Sequence, residues 1–155
     1  MSFALTSPIT GAAQTGFTSP TYTHVTDSAP DVTGKQVAVT ALGGTQAGVT
    51  THSMSSPFTL TFFRPKAFRF LGKPNPTTGL IKDVPRNSFK LITRKGVTVL
   101  TGQPFANMQI TTVIDIPAGS DTADAANIRA ALSAHFGAVA QQTAGVGDTC
   151  VSGVV

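Results

Sequence analysis

Phe105-Ala106-Asn107-Met108-Gln109-Ile110-Thr111-Thr112-Val113-Ile114-Asp115-Ile116-Pro117-Ala118-Gly119-Ser120-Asp121 holds the change of period that decides the fold class. Up to Ile116 the side chains alternate. Ala106, Met108, Ile110, Ile114 and Ile116 share one face of a strand, and Phe105, Asn107, Gln109, Thr111 and Asp115 take the other. After Pro117 the period becomes helical. Ser120 or Asp121 supplies an N-cap, Asp124 suits the first turn, and Ile128, Leu132, Phe136 and Val139 recur at helical spacing. Gly137 is expected to end or bend this helix, and residues 138–151 to hold a second, short one interrupted by Gly145 and Gly147.

Upstream, residues 58–62 form the clearest strand, with Phe58, Leu60 and Phe62 on one face and Thr59, Thr61 and Phe63 on the other. Pro65 cannot donate to a ladder and marks an edge or bulge, beyond which residues 66–71 are expected to resume the strand. Residues 72–85 carry Pro74, Pro76, Gly79 and Pro85 and make a long turn. Residues 88–94 return, Phe89 and Leu91 facing one way and Lys90, Ile92 and Arg94 the other, and residues 96–103 form a second loop with an apolar patch over 97–100. Val37 and Val39 in residues 35–42, the Gly43-Gly44-Thr45 turn and residues 49–54 predict a hairpin. Residues 1–34, rich in Thr, Ser, Pro and Gly with an alternating patch over 22–25, read as an extended arm or edge strand. The plan is α+β: an N-terminal β-hairpin, an antiparallel sheet of about five strands, and two C-terminal helices on one sheet face, in a single domain of residues 1–155.

Nine of the eleven basic residues fall between Arg64 and Lys95, with Asp83 the only acid among them, so that block reads as a polyanion-facing surface. Only 12% of residues are charged, about half the roughly 25% usual for soluble domains, and charge depletion of this kind suits an exterior covered by other subunits. The seven acids are all Asp, which favours turns and caps over helix surfaces. Cys150 stands alone and is read as an inert thiol in a reducing compartment. Residues 1–16 lack the basic and apolar regions of a signal peptide, and no run reaches the roughly 18 apolar residues of a membrane span. The expectation is a protein made and used in a cytoplasm, with no membrane partner. His24, His52 and His135 are scattered over different elements, and Gly43-Gly44 lacks the Lys of a phosphate loop. No enzyme, cofactor or metal is expected.

With helices on one sheet face, the other presents Thr59, Thr61, Lys90, Arg94, Phe105 and Asn107. Hydroxyls, cations, an amide and a ring are the groups that hold phosphates, bond base edges and stack a base. A bacterial structural or adhesin-like β-subunit without nucleic acid is the alternative. It accounts for the Thr-rich, charge-poor surface and leaves the basic block unexplained.

The order and spacing of these elements resemble the coat (capsid) proteins of single-stranded RNA bacteriophages, the levivirus-like family. The residues that carry the likeness are Ile116-Pro117-Ala118-Gly119-Ser120-Asp121, the helix Asn127-Ile128-Arg129-Ala130-Ala131-Leu132, the run Gln141-Gln142-Thr143-Ala144-Gly145-Val146-Gly147-Asp148, and the closing segment 148–155. The resemblance implies an interlocked homodimer whose sheets join edge to edge and whose helices pack over the partner subunit. It further implies an icosahedral shell, built in a bacterial host cytoplasm, that packages the genome and binds one viral genomic RNA hairpin on its inner sheet face, with translational repression as an accompanying role. Carried over residue by residue, Phe105 would stack on a loop base and Asn107 would bond a base or sugar. Phe105 replaces a more familiar Tyr and so lacks a phenolic hydroxyl. Thr59 and Thr61 fall where the family lines an adenine pocket, with Val49 as a pocket wall. Lys90 sits where a Thr is common and Ile92 where a basic residue is expected, leaving Arg94 to supply that charge. The loop 96–103 corresponds to the one that gathers around shell symmetry axes.

Overall fold

Six strands lie in sequence order across one antiparallel sheet: β1 (Ile9–Thr10), β2 (Thr18–Asp27), β3 (Gly34–Thr45), β4 (Phe58–Phe63), β5 (Arg86–Thr98) and β6 (Phe105–Pro117). Three helices follow, α1 (Ser120–Ala123), α2 (Ala125–Gln141) and α3 (Thr143–Ser152). The structure is a computed structural model and describes residues 3–155; Met1 and Ser2, which open the stretch read for a signal peptide, lie outside the described residues.

The α+β plan, the strands at 58–63, 86–98 and 105–117 and the long connection before Arg86 agree with the sequence reading. Several details differ. The sheet has six strands, not about five, because the Thr-rich N-terminal stretch supplies two. The hairpin partner of β3 is β2, with Tyr22 opposite Leu42 and Val25 opposite Ala38. Residues 49–54 form no strand because other bonds pin that loop: His52 N–H donates to Val39 O at 2.8 Å, and Phe58 N–H donates to His52 Nδ1 at 3.0 Å. Residues 66–71 do not resume β4. Beyond Phe63 the chain turns away, with Arg64 N–H bonded to Thr33 O and Arg69 N–H to Asn87 Oδ1. β5 runs on to Thr98, so the next loop covers only residues 99–104. It carries Gly96 where the 53–57 segment crosses the strand, and a Cβ there would lie 2.6 Å from Ser56 Cα.

The helical region breaks earlier than Gly137, which α2 passes without interruption. The cap of α1 is neither Ser120 nor Asp121 but Gly119, at φ 88, a left-handed conformation that suits glycine. Asp124 has left the helical conformation, and its carboxylate caps α2 by accepting from Asn127 N–H. The expectation that the helices cover one sheet face is not met within the chain, since neither α2 nor α3 contains a buried residue. The start of α2 stands across a hollow from the end of β6, with Ile128, Leu132 and His135 facing residues 112–117. The turn before β2 fastens α3. Gln14 Nε2 donates to Thr143 O at 2.9 Å, Thr143 Oγ1 to Ala13 O at 2.8 Å, and Thr15 Oγ1 to Asp148 Oδ2 at 2.8 Å.

Buried apolar residues are few, namely Ala38, Val39, Ile92 and Ala118. Beside them runs a ladder of rings on one sheet face, Phe3 stacked on Phe62 at 4.8 Å and Phe62 on Phe89 at 6.2 Å. Much of the apolar faces of β6 and α2 takes no part in this core: Met108, Ile110, Phe136 and Val139 are exposed. Burying such side chains contributes about 1.5–3 kcal/mol each, and that stabilisation is not realised by one chain alone.

Candidate nucleic-acid interface

Residues paired across a ladder share a face, so the register sorts the candidate side chains. Thr59 lies opposite Arg94, which lies opposite Gln109; Thr61 faces Ile92, then Thr111; Phe63 faces Lys90, then Val113. Asn107 opposes Gly96 and Phe105 opposes Thr98 in the same alternation. Thr59, Thr61, Lys90, Arg94, Phe105 and Asn107 thus occupy one face, and Phe58, Leu60, Phe62, Leu91 and Met108 the other.

On that face the six are not equally accessible. Lys90, Phe105 and Asn107 are exposed and Arg94 is half-buried, but Thr59 and Thr61 are buried, with Thr61 fully enclosed. The expected row of open hydroxyls is therefore corrected: the threonines form the floor. They are short side chains in a central strand, flanked by the longer Gln36, Ile92 and Arg94. Thr61 Oγ1 donates to Gln36 Oε1 at 2.7 Å, and Gln36 Nε2 donates to Asp27 Oδ2 at 2.6 Å and Ser28 O at 3.2 Å. The Gln36 bond and the Ser28 N–H together hold the Asp27 carboxyl below its ordinary value. Thr61, fully enclosed and with its proton committed to Gln36, supports the face from beneath.

Val49 lies in the 46–57 loop, yet it lines one hollow together with Phe105, Gly96, Val97 and Thr98. Lys95 borders the same hollow and belongs to the opposite sheet face. Its Nζ donates to Thr50 Oγ1 at 2.8 Å and Gly96 O at 3.0 Å, and stands 5.3 Å from the centre of the Phe58 ring. Burial pulls its pKa down. Lys95 is thus a structural cation that ties the 46–57 loop to β5, whereas Lys90 and Arg94 point to the candidate face. Sequence reasoning placed Gln109 and Thr111 on the strand face of Phe105 and Asn107 without counting them in the site, and it missed Gln36, which joins this face opposite Thr61.

Among the described residues, Lys66–Asp31 at 2.7 Å is the one ion pair, so the basic block is largely uncompensated within the chain. Lys66 and the Thr33 groups hold the Asp31 carboxyl down at about 2. No group of three metal-ligating side chains converges among the described residues, and no helix there is long and apolar enough to cross a membrane.

No protein-family model and no curated protein matches the chain. Among solved structures, a virus-like particle of bacteriophage ESE020 is 54% identical, covers 99% of this chain and 100% of its own, and superposes with a TM-score of 0.97. Identity at that level over the whole length carries the sheet, the helices and the connections between them together, and the protein compared is the building block of a particle. The chain belongs to the bacteriophage coat proteins.

Proposed function

We propose that residues 1–155 form one coat domain that pairs as a homodimer through β6, closes as dimers into an icosahedral shell, and binds an RNA hairpin of the packaged genome on the Thr59–Asn107 sheet face. The observation that carries the reading is the β6 edge. This long strand has an unpaired side, contains no Pro before Pro117, and leaves residues 105–111 exposed on both faces. A long, flat, apolar edge is a template for another strand, and a soluble protein leaves one only where a partner covers it.

Two β6 edges joined antiparallel make one continuous sheet and bring Phe105 and Asn107 of both copies to the same side. The helices, which bury nothing at home, then have a neighbouring sheet to lie on. The RNA face gains a stacking ring in Phe105, an amide in Asn107, cations in Lys90 and Arg94, and a Val49 wall beside Phe105. Hairpin binding of this kind supports translational repression as well as packaging in the bacterial cytoplasm. A particle-forming relative favours closed shells over the filaments of an adhesin-like subunit.

The test is expression of the chain alone in a bacterium, with native mass spectrometry of the soluble subunits and sequencing of the RNA recovered from purified particles. Dimers and RNA-filled shells are expected. Monomers that never exceed one copy, or shells that form empty, would overturn the corresponding half of the reading.

A further inference from the structure

All the cations outside the sheet except Arg129 of α2 lie on a connection with a defined shape. Residues 64–85 join β4 to β5, and their tip is ordered by its own bonds. Gly79 N–H donates to Asn75 O and Asn75 N–H to Leu80 O, both at 2.8 Å, while Asn75 Oδ1 accepts from Thr77 N–H at 2.8 Å and Thr78 N–H at 3.2 Å. The base is held by a reciprocal pair: Arg69 N–H donates to Asn87 Oδ1 at 2.8 Å and Asn87 Nδ2 to Arg69 O at 3.0 Å. This tongue carries Arg64, Lys66, Arg69, Lys73 and Lys82 against the single acid Asp83, and it leaves the Phe70 ring 81% exposed.

The tongue is continuous with the candidate face. Lys66 and Arg69 line one hollow with Arg86, Ser88 and Asp115, and Arg86, Lys90 and Arg94 then follow at every fourth residue along one face of β5. At about 3.3 Å per residue these cations recur roughly every 13 Å. The track runs from the sheet site off the end of the sheet and onto the tongue.

We propose that the tongue is a second, sequence-independent contact for single-stranded RNA, taking up the strand that leaves the hairpin held on the sheet. The inference rests on the RNA-binding reading above and adds a place and a direction to it. A second copy of the chain is a poorer occupant, because its acids are scattered and five of the seven already accept from a neighbour. Asp27 accepts from Gln36, Asp31 from Lys66, Asp115 from Ser88, Asp124 from Asn127 and Asp148 from Thr15, each on a different element. Among the described residues no surface offers a matching row of carboxylates, whereas a phosphate chain carries a charge on every nucleotide. Each copy also adds a formal net charge of +4 to a shell, which calls for a polyanion inside it. An exposed ring among cations is the combination that holds unpaired bases without reading them.

The experiment measures binding of polyuridine RNA, across a range of salt, by soluble subunits released from particles. Wild type, the Lys73→Ala/Lys82→Ala double variant, Phe70→Ala and Phe105→Ala are compared. Removing the two lysines is expected to flatten the log–log salt slope by about 1.4, at roughly 0.7 per single-strand phosphate. Phe70→Ala is expected to weaken binding about tenfold. Phe105→Ala, in the sheet site, is expected to weaken binding without flattening the salt slope, because it removes a ring and no charge. Tongue variants that bind polyuridine with the wild-type slope overturn the proposal, and if they also stall short of particles the tongue is a contact between copies. Wild type that binds RNA recovered from its particles but not polyuridine overturns the tongue contact alone; wild type that binds neither overturns the RNA reading with it.

Discussion

β4 and β6 are written in the same alternating code and end in opposite conditions. β4 is flanked on both sides by strands of its own chain, and its outward threonines are buried, Thr61 completely. β6 is twice as long and just as regular, yet from Phe105 to Thr111 every residue is exposed, Ile110 to 55%. The difference lies in the neighbours, not in the strand. Burial of an alternating strand requires a second ladder and a covering layer, and β6 has neither within the chain. The interior strand therefore belongs to the fold of the subunit and the edge strand to the fold of the assembly.

The largest expected effect comes from blocking that edge. Ile110→Lys places a solvated charge on the edge strand β6, on the face shared with Met108, a device natural sheets use against edge pairing. Particles and dimers are expected to disappear while the subunit stays folded, read by sedimentation together with circular dichroism. Wild-type particles from this variant would break the comparison. Phe105→Ala comes next. It is expected to weaken hairpin binding by about 1–3 kcal/mol, the worth of one stacked base, and to leave shells intact, checked by filter binding and electron microscopy.

Thr61→Val probes the buried strand instead. It keeps the shape, removes the bond to Gln36, and is expected to lower subunit stability by about 1 kcal/mol in denaturant unfolding. Its effect on RNA affinity should be smaller than that of Phe105→Ala; the reverse order would make Thr61 a ligand contact first. The smallest effect is expected at Asp31→Asn, which removes the ion pair to Lys66 on the exposed turn. Asp31 is held down from 3.8 to about 2, so its contribution is present above the higher value and is lost as pH falls through the lower one. The variant should lose part of the acid limb of the pH–stability curve between those two values and otherwise match wild type in thermal scans.

Much of this contrast was legible in the sequence. Phe58 to Phe62 and Phe105 to Ile116 alternate too regularly to be anything but strands, and Ile128, Leu132, Phe136 and Val139 mark α2 without help from tertiary structure. β2 was not legible as the partner of β3, because its Thr-Ser-Pro-rich sequence has weak hydrophobic alternation and its ladder contains register shifts. The helix break at Asp124 was hidden because Asp suits a first turn and an N-cap equally well. At the candidate site, the common face of Thr59, Lys90, Arg94, Phe105 and Asn107 followed from parity alone. Depth did not: Thr61 is enclosed by Gln36, twenty-five residues away in sequence, and Val49 meets Phe105 only because the 46–57 loop folds back over β5.

Cryo-electron microscopy of particles purified from bacteria expressing this chain alone is the most direct test. The account predicts β6 of one copy hydrogen-bonded antiparallel to β6 of a second, the helices of each lying on the other's sheet, and RNA density against Phe105 and Asn107. Particles in which the β6 edges face solvent, or in which RNA density avoids the Phe105 face, would contradict it.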